Sequence, residues 1–318
     1  MKQHPQTPKK PQHKKNAYKP RYVKPKKPVG PIIVIAIILV LAGIGVGIYL
    51  LSNSGEKPTR TSKNSVKVQV PKFVGQPVNQ ELKEATLKYG NIIYGGFPIC
   101  ASDTVNILQN TAYYSAYSEK RRNPLWVAYR LDCATGTNQL HRPGGFAPDN
   151  RTKARIRSKI YKNTGYDRGH MCPNSAIALR YGRKAQLETF VMSNVVPQKP
   201  ALNRHVWERL ERLEEAYSNK YENVWVITGP IFDDHIELMK KQVEIPDAFF
   251  KILLDEQDNK VRALAFILPQ DVTGKESLTD FLTSIDEIER RTGLNFLEPM
   301  TDLYEDKLEA EITSMWVD

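Results

Sequence analysis

Cysteine is scarce in this chain: its 318 residues include only Cys100, Cys133 and Cys172. None of them is paired in the C-x2-C spacing that structural zinc modules use. A zinc site built from Cys133, Cys172, His141 and His170 is therefore disfavoured. In an oxidising compartment one pair of thiols could close, and we favour Cys100 with Cys133, because Cys172 lies two residues after His170, a candidate catalytic residue.

Acidic residues are absent from the first 30 positions, which hold ten lysines and arginines. The whole chain has a formal charge of +11, but without this segment 36 basic and 35 acidic residues remain, a net charge of +1. The overall charge therefore says little about the main part of the protein, where any basic surface must be local. Residues 1–30 are also rich in proline and glutamine, which predicts a disordered tail.

Charged residues are also missing from Ile32–Leu51, a run of aliphatic residues, glycine, alanine and one tyrosine. Twenty helical residues span about 30 Å, the thickness of a bilayer core, so we predict a transmembrane helix over 31–51. The alternative is a cleaved signal peptide, whose apolar region is usually shorter and precedes a small-residue cleavage site. The positive-inside rule puts the tail in the cytoplasm and the rest outside, in an extracellular or periplasmic space. A polar linker over 52–74 then leads to one domain over 75–318.

No internal repeat is visible, and the apolar patterns of the outer part predict strands interrupted by helices. The predicted strands are Tyr113–Tyr117, Leu125–Leu131, Val224–Pro230, Phe249–Leu254 and Val261–Leu268, the last two forming a hairpin through Asp258-Asn259. A helix is expected over Pro200–Tyr217, and a second from the capping-box sequence at Ser277 to Thr292. This order of elements predicts a single α+β domain.

The stretch Tyr166–Met171, which reads Tyr-Asp-Arg-Gly-His-Met, is followed by Asn203 and Glu211 on the predicted helix. A histidine can accept a proton near neutral pH, and an amide oxygen suits Mg²⁺, which takes few protein ligands. Each of these residues also has a simpler interpretation when it is considered alone. His170 would be a structural histidine, Asn203 a helix N-cap and Glu211 a solvated acid.

A longer ordered set of residues surrounds this stretch. It comprises Arg142-x-x-x-Phe146-x-x-Asp149, Asp167-Arg168-Gly169-His170-Met171-x-Pro173, Met192-Ser193-Asn194-x-x-Pro197-Gln198 and Asn203-x-x-x-Trp207-x-x-Leu210-Glu211, followed by Val226-x-Thr228-Gly229-Pro230 and Glu287-Ile288-Glu289-x-x-Thr292-Gly293-Leu294. The set resembles the DNA/RNA non-specific endonuclease family, which has a ββα-metal active site. The resemblance covers about 75–296, essentially the whole outer part.

This resemblance implies a ββα-metal nuclease fold with a central, six-stranded, mixed but mainly antiparallel sheet flanked by helices. It also implies one Mg²⁺, or Mn²⁺ in its place, and hydrolysis of DNA and RNA with little sequence preference. With the predicted anchor, the chain is expected to be a membrane-bound bacterial surface member. The non-enzymatic alternative is a membrane-tethered module that binds or takes up nucleic acid with little catalysis.

The resemblance also implies roles for individual residues. His170 matches the proton acceptor, Asn203 the metal ligand, Asn194 a residue that supports the active centre, and Glu211 an acid that acts through the metal's water shell. Arg142 matches an arginine that contacts phosphate. On chemical grounds, Arg142 or Arg168 would hold the phosphate through paired hydrogen bonds.

Basic residues also alternate along 151–161, upstream of the histidine motif. The row consists of Arg151, Lys153, Arg155, Arg157 and Lys159. Such a face is often only solvated, but a row of cations that leads into the motif is also where phosphates would lie. We therefore expect Arg155 and Arg157 to contact the substrate.

Overall fold

The computed structural model describes residues 73–136 and 140–316. The predicted tail, the predicted transmembrane segment and most of the linker lie outside the described residues. Within the described ranges, no helix combines the length and the apolar character needed to cross a bilayer.

The described chain folds into fourteen strands and five α-helices, with a few shorter helical turns. The strands are β1 (Gln76–Pro77), β2 (Ile99–Cys100), β3 (Val105–Gln109), β4 (Tyr113–Ser118), β5 (Asn123–Asp132), β6 (Asp167–His170), β7 (Val195–Gln198), β8 (Asn223–Ile231), β9 (Leu238–Met239), β10 (Val243–Glu244), β11 (Ala248–Gln257), β12 (Lys260–Pro269), β13 (Leu282–Thr283) and β14 (Leu294–Asn295). The helices are α1 (Gln80–Lys88), α2 (Asn174–Thr189), α3 (Glu208–Lys220), α4 (Ile285–Thr292) and α5 (Asp302–Ala310). The shorter turns are 3-10 helices at Ser158–Tyr161, Met192–Asn194 and Leu278–Phe281 and a π-helical turn at Leu202–Trp207.

The central sheet has the order β1-β12-β11-β8-β5-β4-β3, with β13 beside β12. Six of its strands have five to ten residues and form the sheet expected from the resemblance, while β1 and β13 are two-residue additions. Every pairing in this sheet is antiparallel. The prediction of an α+β fold with a large, mainly antiparallel sheet is confirmed.

The predicted hairpin is present as β11 and β12, which pair from Ala248 with Pro269 to Gln257 with Lys260. Its turn residues Asp258 and Asn259 have φ values of 51° and 58°. Asparagine and aspartate tolerate this left-handed conformation better than most residues, which explains why they occupy the turn.

Side chains alternate between the two faces of the sheet and build a separate core on each. On β11, Phe249 and Leu253 enter one core with residues of α2 and α3, and we call this side the front face. Phe250 and Ile252 enter the other core with residues of α1, α4 and α5, and we call this side the back face. Both faces are covered by helices, so each strand of the sheet's centre is buried on both sides.

Two sequence predictions are corrected by the fold. The helix expected from Ser277 does not run on to Thr292: the capping box at Ser277 opens only the 3-10 turn, and Ser284 caps a second start before α4. The disulfide between Cys100 and Cys133 is also wrong, because all three cysteines are free thiols. The Cys133 thiol instead lies 3.9 Å from the carbonyl oxygen of Asn219.

Candidate active site

The histidine motif lies in a compact ββα unit on the front face. Strand β6 pairs antiparallel with β7, and the helical segment that continues into α3 follows directly. A Cβ added to Gly169 would lie 2.0 Å from Oε1 of Gln198, whose side chain is fully buried. A larger residue at this position would have to displace the Gln198 side chain, so the glycine next to His170 has a packing role.

The His170 imidazole is packed between two aromatic rings. The rings of Phe146 and Phe190 each lie 5.0 Å from it, centroid to centroid. The histidine is only 9% exposed, and its Nε2 atom is buried without a hydrogen-bond partner among the described residues. Apolar packing holds the ring, and no described residue occupies the hydrogen-bonding capacity of Nε2.

Two guanidinium groups flank this aromatic cluster. Arg142 lies 5.1 Å from the ring centroid of Phe190, and Arg168 lies 5.4 Å from that of Phe146. Both arginines are exposed, and neither forms an ion pair with a residue that the structure describes. Two unpaired cations beside a buried imidazole form a local positive site that suits a phosphodiester anion.

Burial lowers the pKa of His170 to about 3, and the positive charge of Arg142 contributes in the same direction. The imidazole is therefore neutral at physiological pH and can accept a proton, but so low a pKa makes it a weaker base than an ordinary histidine. A histidine with an ordinary pKa near 6.5 would be partly protonated at pH 7.

The depressed pKa of His170 predicts a loss of stability in acid. Because the unfolded chain binds a proton near pH 6.5 and the folded chain only near pH 3, stability falls as pH drops through this window. At pH 5 the loss from this residue is about 2 kcal/mol. Chemical denaturation of the wild type and of His170→Phe, which cannot titrate, measures it. Identical pH dependence in the two proteins would show that the histidine is not buried in its neutral form.

Asn194 is fully buried and holds the chain that follows the histidine. Its Oδ1 accepts a hydrogen bond from the Cys172 amide at 2.9 Å, and its Nδ2 donates to the carbonyl oxygens of Cys172 and Thr189, both at 3.0 Å. With its amide occupied on both sides, Asn194 is suited to positioning this segment rather than contacting substrate. The supporting role expected for Asn194 in the active centre stays a prediction.

Asn203 lies in the π-helical turn and contacts the strand that bears His170. Its Nδ2 donates to Oδ2 of Asp167 at 3.1 Å, and Arg204 donates two hydrogen bonds of 2.7 Å to the same carboxylate. The Asn203 amide N–H donates to the carbonyl of Lys199, so the residue is inside the helix and is not its N-cap. Fixing Nδ2 in this way leaves Oδ1 without a hydrogen-bond donor among the described residues.

This arrangement fits a hard divalent cation. An amide oxygen with its nitrogen anchored is a preorganised oxygen ligand of the kind that Mg²⁺ accepts. The paired guanidinium of Arg204 holds the pKa of Asp167 below its usual range, so the carboxylate stays ionised and keeps Asn203 oriented. π-Helical turns often occur at functional sites, which is consistent with the position of Asn203.

Glu211 lies on α3, where burial raises the pKa of its carboxyl to about 7. Burial raises the pKa of the Cys172 thiol, and the carboxylates of Glu214 and Glu211 add to this effect. Beneath Glu211, the ammonium of Lys251 pairs with Glu214, both fully buried, and Tyr129 donates to Glu214 at 2.6 Å. This buried ion pair connects α3 to the sheet beneath the candidate site.

The predicted substrate-binding row is only partly available to a ligand. Arg151 forms an ion pair with Asp149 at 2.7 Å, so it has a structural role. Arg155 and Arg157 are exposed and form no ion pair with described residues, but no contact joins them to His170. A pocket of about 380 Å³ lies nearer the motif and includes Arg168 and Asp167 in its wall. The other lining residues are Ser158, Lys159, Tyr161, Lys162 and Tyr166.

Several contacts of the site could not be predicted from the sequence. Phe190 contacts His170 but stands 20 positions away, and no pattern in its own segment indicates that contact. Asp167 is close in sequence to His170, and Arg204 follows Asn203. Only the fold shows that Asp167 and Arg204 form an ion pair. The expected carbonyl partner for a ring nitrogen of His170 is not found among the described residues, and the ring packs between Phe146 and Phe190.

A ββα unit with a buried histidine, exposed arginines and an anchored asparagine is the arrangement of a metal-dependent hydrolytic nuclease. Comparison with known proteins agrees: residues 88–303 match the model of the DNA/RNA non-specific endonuclease family. The chain belongs to this family. Its members are divalent-metal-dependent hydrolases, so the protein is an enzyme rather than a passive binding module.

Characterised relatives support the same assignment. The chain is 32% identical over 203 residues to human mitochondrial endonuclease G, covering 58% of this chain and 67% of that protein. It is 31% identical over 229 residues to nuclease C1 of Cunninghamella echinulata, covering 66% of this chain and 88% of that protein. A chain in a crystal structure of an EndoG/EndoGI complex superposes with a TM-score of 0.59 at 27% identity, covering 67% of this chain and 92% of that one.

Proposed function

We propose that this protein is a Mg²⁺-dependent endonuclease that hydrolyses phosphodiester bonds of DNA and RNA without sequence preference. The observation that carries the proposal is the buried, neutral imidazole of His170 beside the unpaired guanidinium groups of Arg142 and Arg168. Attack on an anionic phosphodiester requires a base to activate the nucleophile and positive charge to stabilise the phosphate oxygens, and this site offers both.

In this proposal, His170 removes a proton from the attacking water. Arg142 and Arg168 hold the phosphate oxygens by charge and by paired hydrogen bonds, which lowers the repulsion that an anion presents to a nucleophile. Asn194 keeps the segment after His170 in place through its three hydrogen bonds. Contacts of this kind recognise the backbone and not base edges, so little sequence preference is expected.

Asn203 would hold the divalent cation through Oδ1, with Asp167 and Arg204 keeping the amide oriented. When bound, the cation supplies positive charge that stabilises the charge developing in the transition state. Glu211 would orient water in the coordination shell. Lys159, Lys162 and Arg168 in the neighbouring pocket would extend the basic surface along the backbone of the substrate.

A nicking assay tests this function directly. The purified full-length protein is incubated with supercoiled plasmid or with a long RNA, with Mg²⁺ or with excess EDTA. We expect cleavage of both substrates in Mg²⁺, no cleavage in EDTA, no recurrent cut site, and weaker binding as salt rises. Cleavage that persists in EDTA would contradict the metal-dependent proposal.

We also propose that Ile32–Leu51 anchors the protein in a bacterial membrane, with the tail over 1–30 in the cytoplasm and the nuclease domain over 75–318 outside. The support is the twenty-residue uncharged run and the ten basic residues before it. Membrane fractionation with external protease tests this topology. Release of the full-length protein by carbonate, or protection of the nuclease domain from protease in intact cells, would contradict it.

A further inference from the structure

Three carboxylates converge between the last two α-helices on the back face. Asp286 and Glu289 come from α4 and Glu309 from α5, and one oxygen of each lies within 4.8 Å of the others. Helices α4 and α5 pack in the core that includes Ile288 and Leu308, across the sheet from the catalytic unit. The cluster is therefore separate from the site around His170.

Glu309 is the buried member of this cluster. It is 6% exposed, and its Oε1 is buried without a hydrogen bond to any residue in the described part of the chain. Leaving a buried carboxylate oxygen unpaired costs free energy, so such an atom calls for an explanation. A ligand that binds oxygen would satisfy it.

The neighbouring basic residues do not neutralise the cluster. Arg290 pairs with Glu287, and Arg291 pairs with Asp233. None of the three clustered carboxylates forms an ion pair with a described residue, and Glu305 adds a further acid to the surroundings. Glu309 is buried, and no basic side chain in the described part of the chain pairs with it, so either a bound proton or a bound cation must compensate its charge.

We propose that Asp286, Glu289 and Glu309 bind a divalent cation of the Ca²⁺ type that joins α4 to α5. Ca²⁺ takes six to eight oxygen ligands at about 2.3–2.6 Å, so oxygens on opposite sides of the ion are about 4.6–5.2 Å apart. The three oxygens lie within 4.8 Å of one another, so none is too far from the others to share one such ion. Asp286 is exposed, which leaves room for water to complete the coordination.

The three acids approach the proposed ion from two helices. Asp286 and Glu289 are three residues apart and share one side of α4, while Glu309 approaches from α5. Glu289 also accepts a hydrogen bond from the Phe296 amide at 2.7 Å through Oε1, which orients its carboxylate. The cation would act as a structural link and would stabilise the folded state by binding it selectively.

The test measures Ca²⁺ binding and thermal unfolding of the full-length protein in an Asn203→Ala background, which removes the proposed catalytic ligand. We expect one bound Ca²⁺ per chain and a rise in Tm of about 5 °C or more at saturating Ca²⁺. Asp286→Asn and Glu309→Gln should lose most of that rise. Glu311→Gln, an exposed acid near the end of α5, is the matched control and should keep it.

Two results would overturn the proposal. One is a Tm that does not respond to Ca²⁺, with Glu309→Gln at least as stable as the parent, as a protonated Glu309 would predict. The other is an equal Ca²⁺ response in the parent, Asp286→Asn and Glu309→Gln. If Glu309→Gln fails to fold, the exposed Asp286→Asn carries the decision, because its side chain is not part of the core.

Discussion

His170→Ala is expected to lower kcat for plasmid cleavage by about 10²–10⁴-fold, the usual contribution of a positioned general base. The neutral imidazole is the proposed acceptor of the water proton, and Nε2 has no partner in the described structure that could compete for it. The alanine variant keeps Arg142 and Arg168, so binding of the substrate should change much less than turnover. Steady-state kinetics at saturating DNA separates these two effects.

The matched control is His235→Ala, which removes an exposed histidine from the loop after β8. It should cleave at the wild-type rate, and circular dichroism should show that both variants fold. Cleavage by His170→Ala at the wild-type rate would show that this imidazole is not the base.

Asn203→Ala is expected to reduce kcat by about 10²-fold or more and to raise the Mg²⁺ concentration needed for activity. The charge supplied by a bound cation is worth several kcal/mol in a transition state, and about 1.4 kcal/mol corresponds to each tenfold change in rate. Asp167, itself paired with Arg204, accepts a hydrogen bond from Nδ2 of Asn203 and so orients the side-chain amide. The alanine substitution removes the carbonyl oxygen of that amide and leaves the cation without a protein ligand in this proposal.

A conservative variant separates ligation from structure. Asn203→Asp keeps an oxygen ligand but sets a second carboxylate beside Asp167, so activity should recover in part as Mg²⁺ is raised. Activity in Asn203→Ala that matches the wild type at every Mg²⁺ concentration would contradict the assignment of the ligand.

Much of the fold could be predicted from the sequence because its long strands have distinct apolar patterns. The apolar runs that became β8, β11 and β12 are buried on both faces, and the Asp258-Asn259 turn matches the left-handed conformation that the hairpin requires. The region after Ser277 shows the limit of such signals: its capping box is real, but local turns interrupt the chain before Ser284 starts the helix.

The part of the site whose residues are neighbours in sequence could be predicted. The contacts between segments that are distant in sequence could not. The motif around His170 was visible, and the catalytic role of that residue stays a prediction. The packing of Phe190 against His170 depends on the segment between α2 and β7, and no local pattern encodes it. Likewise, the buried pair of Lys251 and Glu214 joins β11 to α3, although a lysine in an apolar strand gives no sign of its partner.

The central claim is that a cation held by the Asn203 amide and the imidazole of His170 act on one phosphate. Anomalous diffraction from crystals of the protein soaked in Mn²⁺, with a non-cleavable oligonucleotide bound, tests it most directly. The account predicts an anomalous peak within about 2.5 Å of Asn203 Oδ1, with the same phosphate facing the ring of His170. A peak at another site, or a phosphate that contacts the cation while His170 faces away from it, would contradict the account.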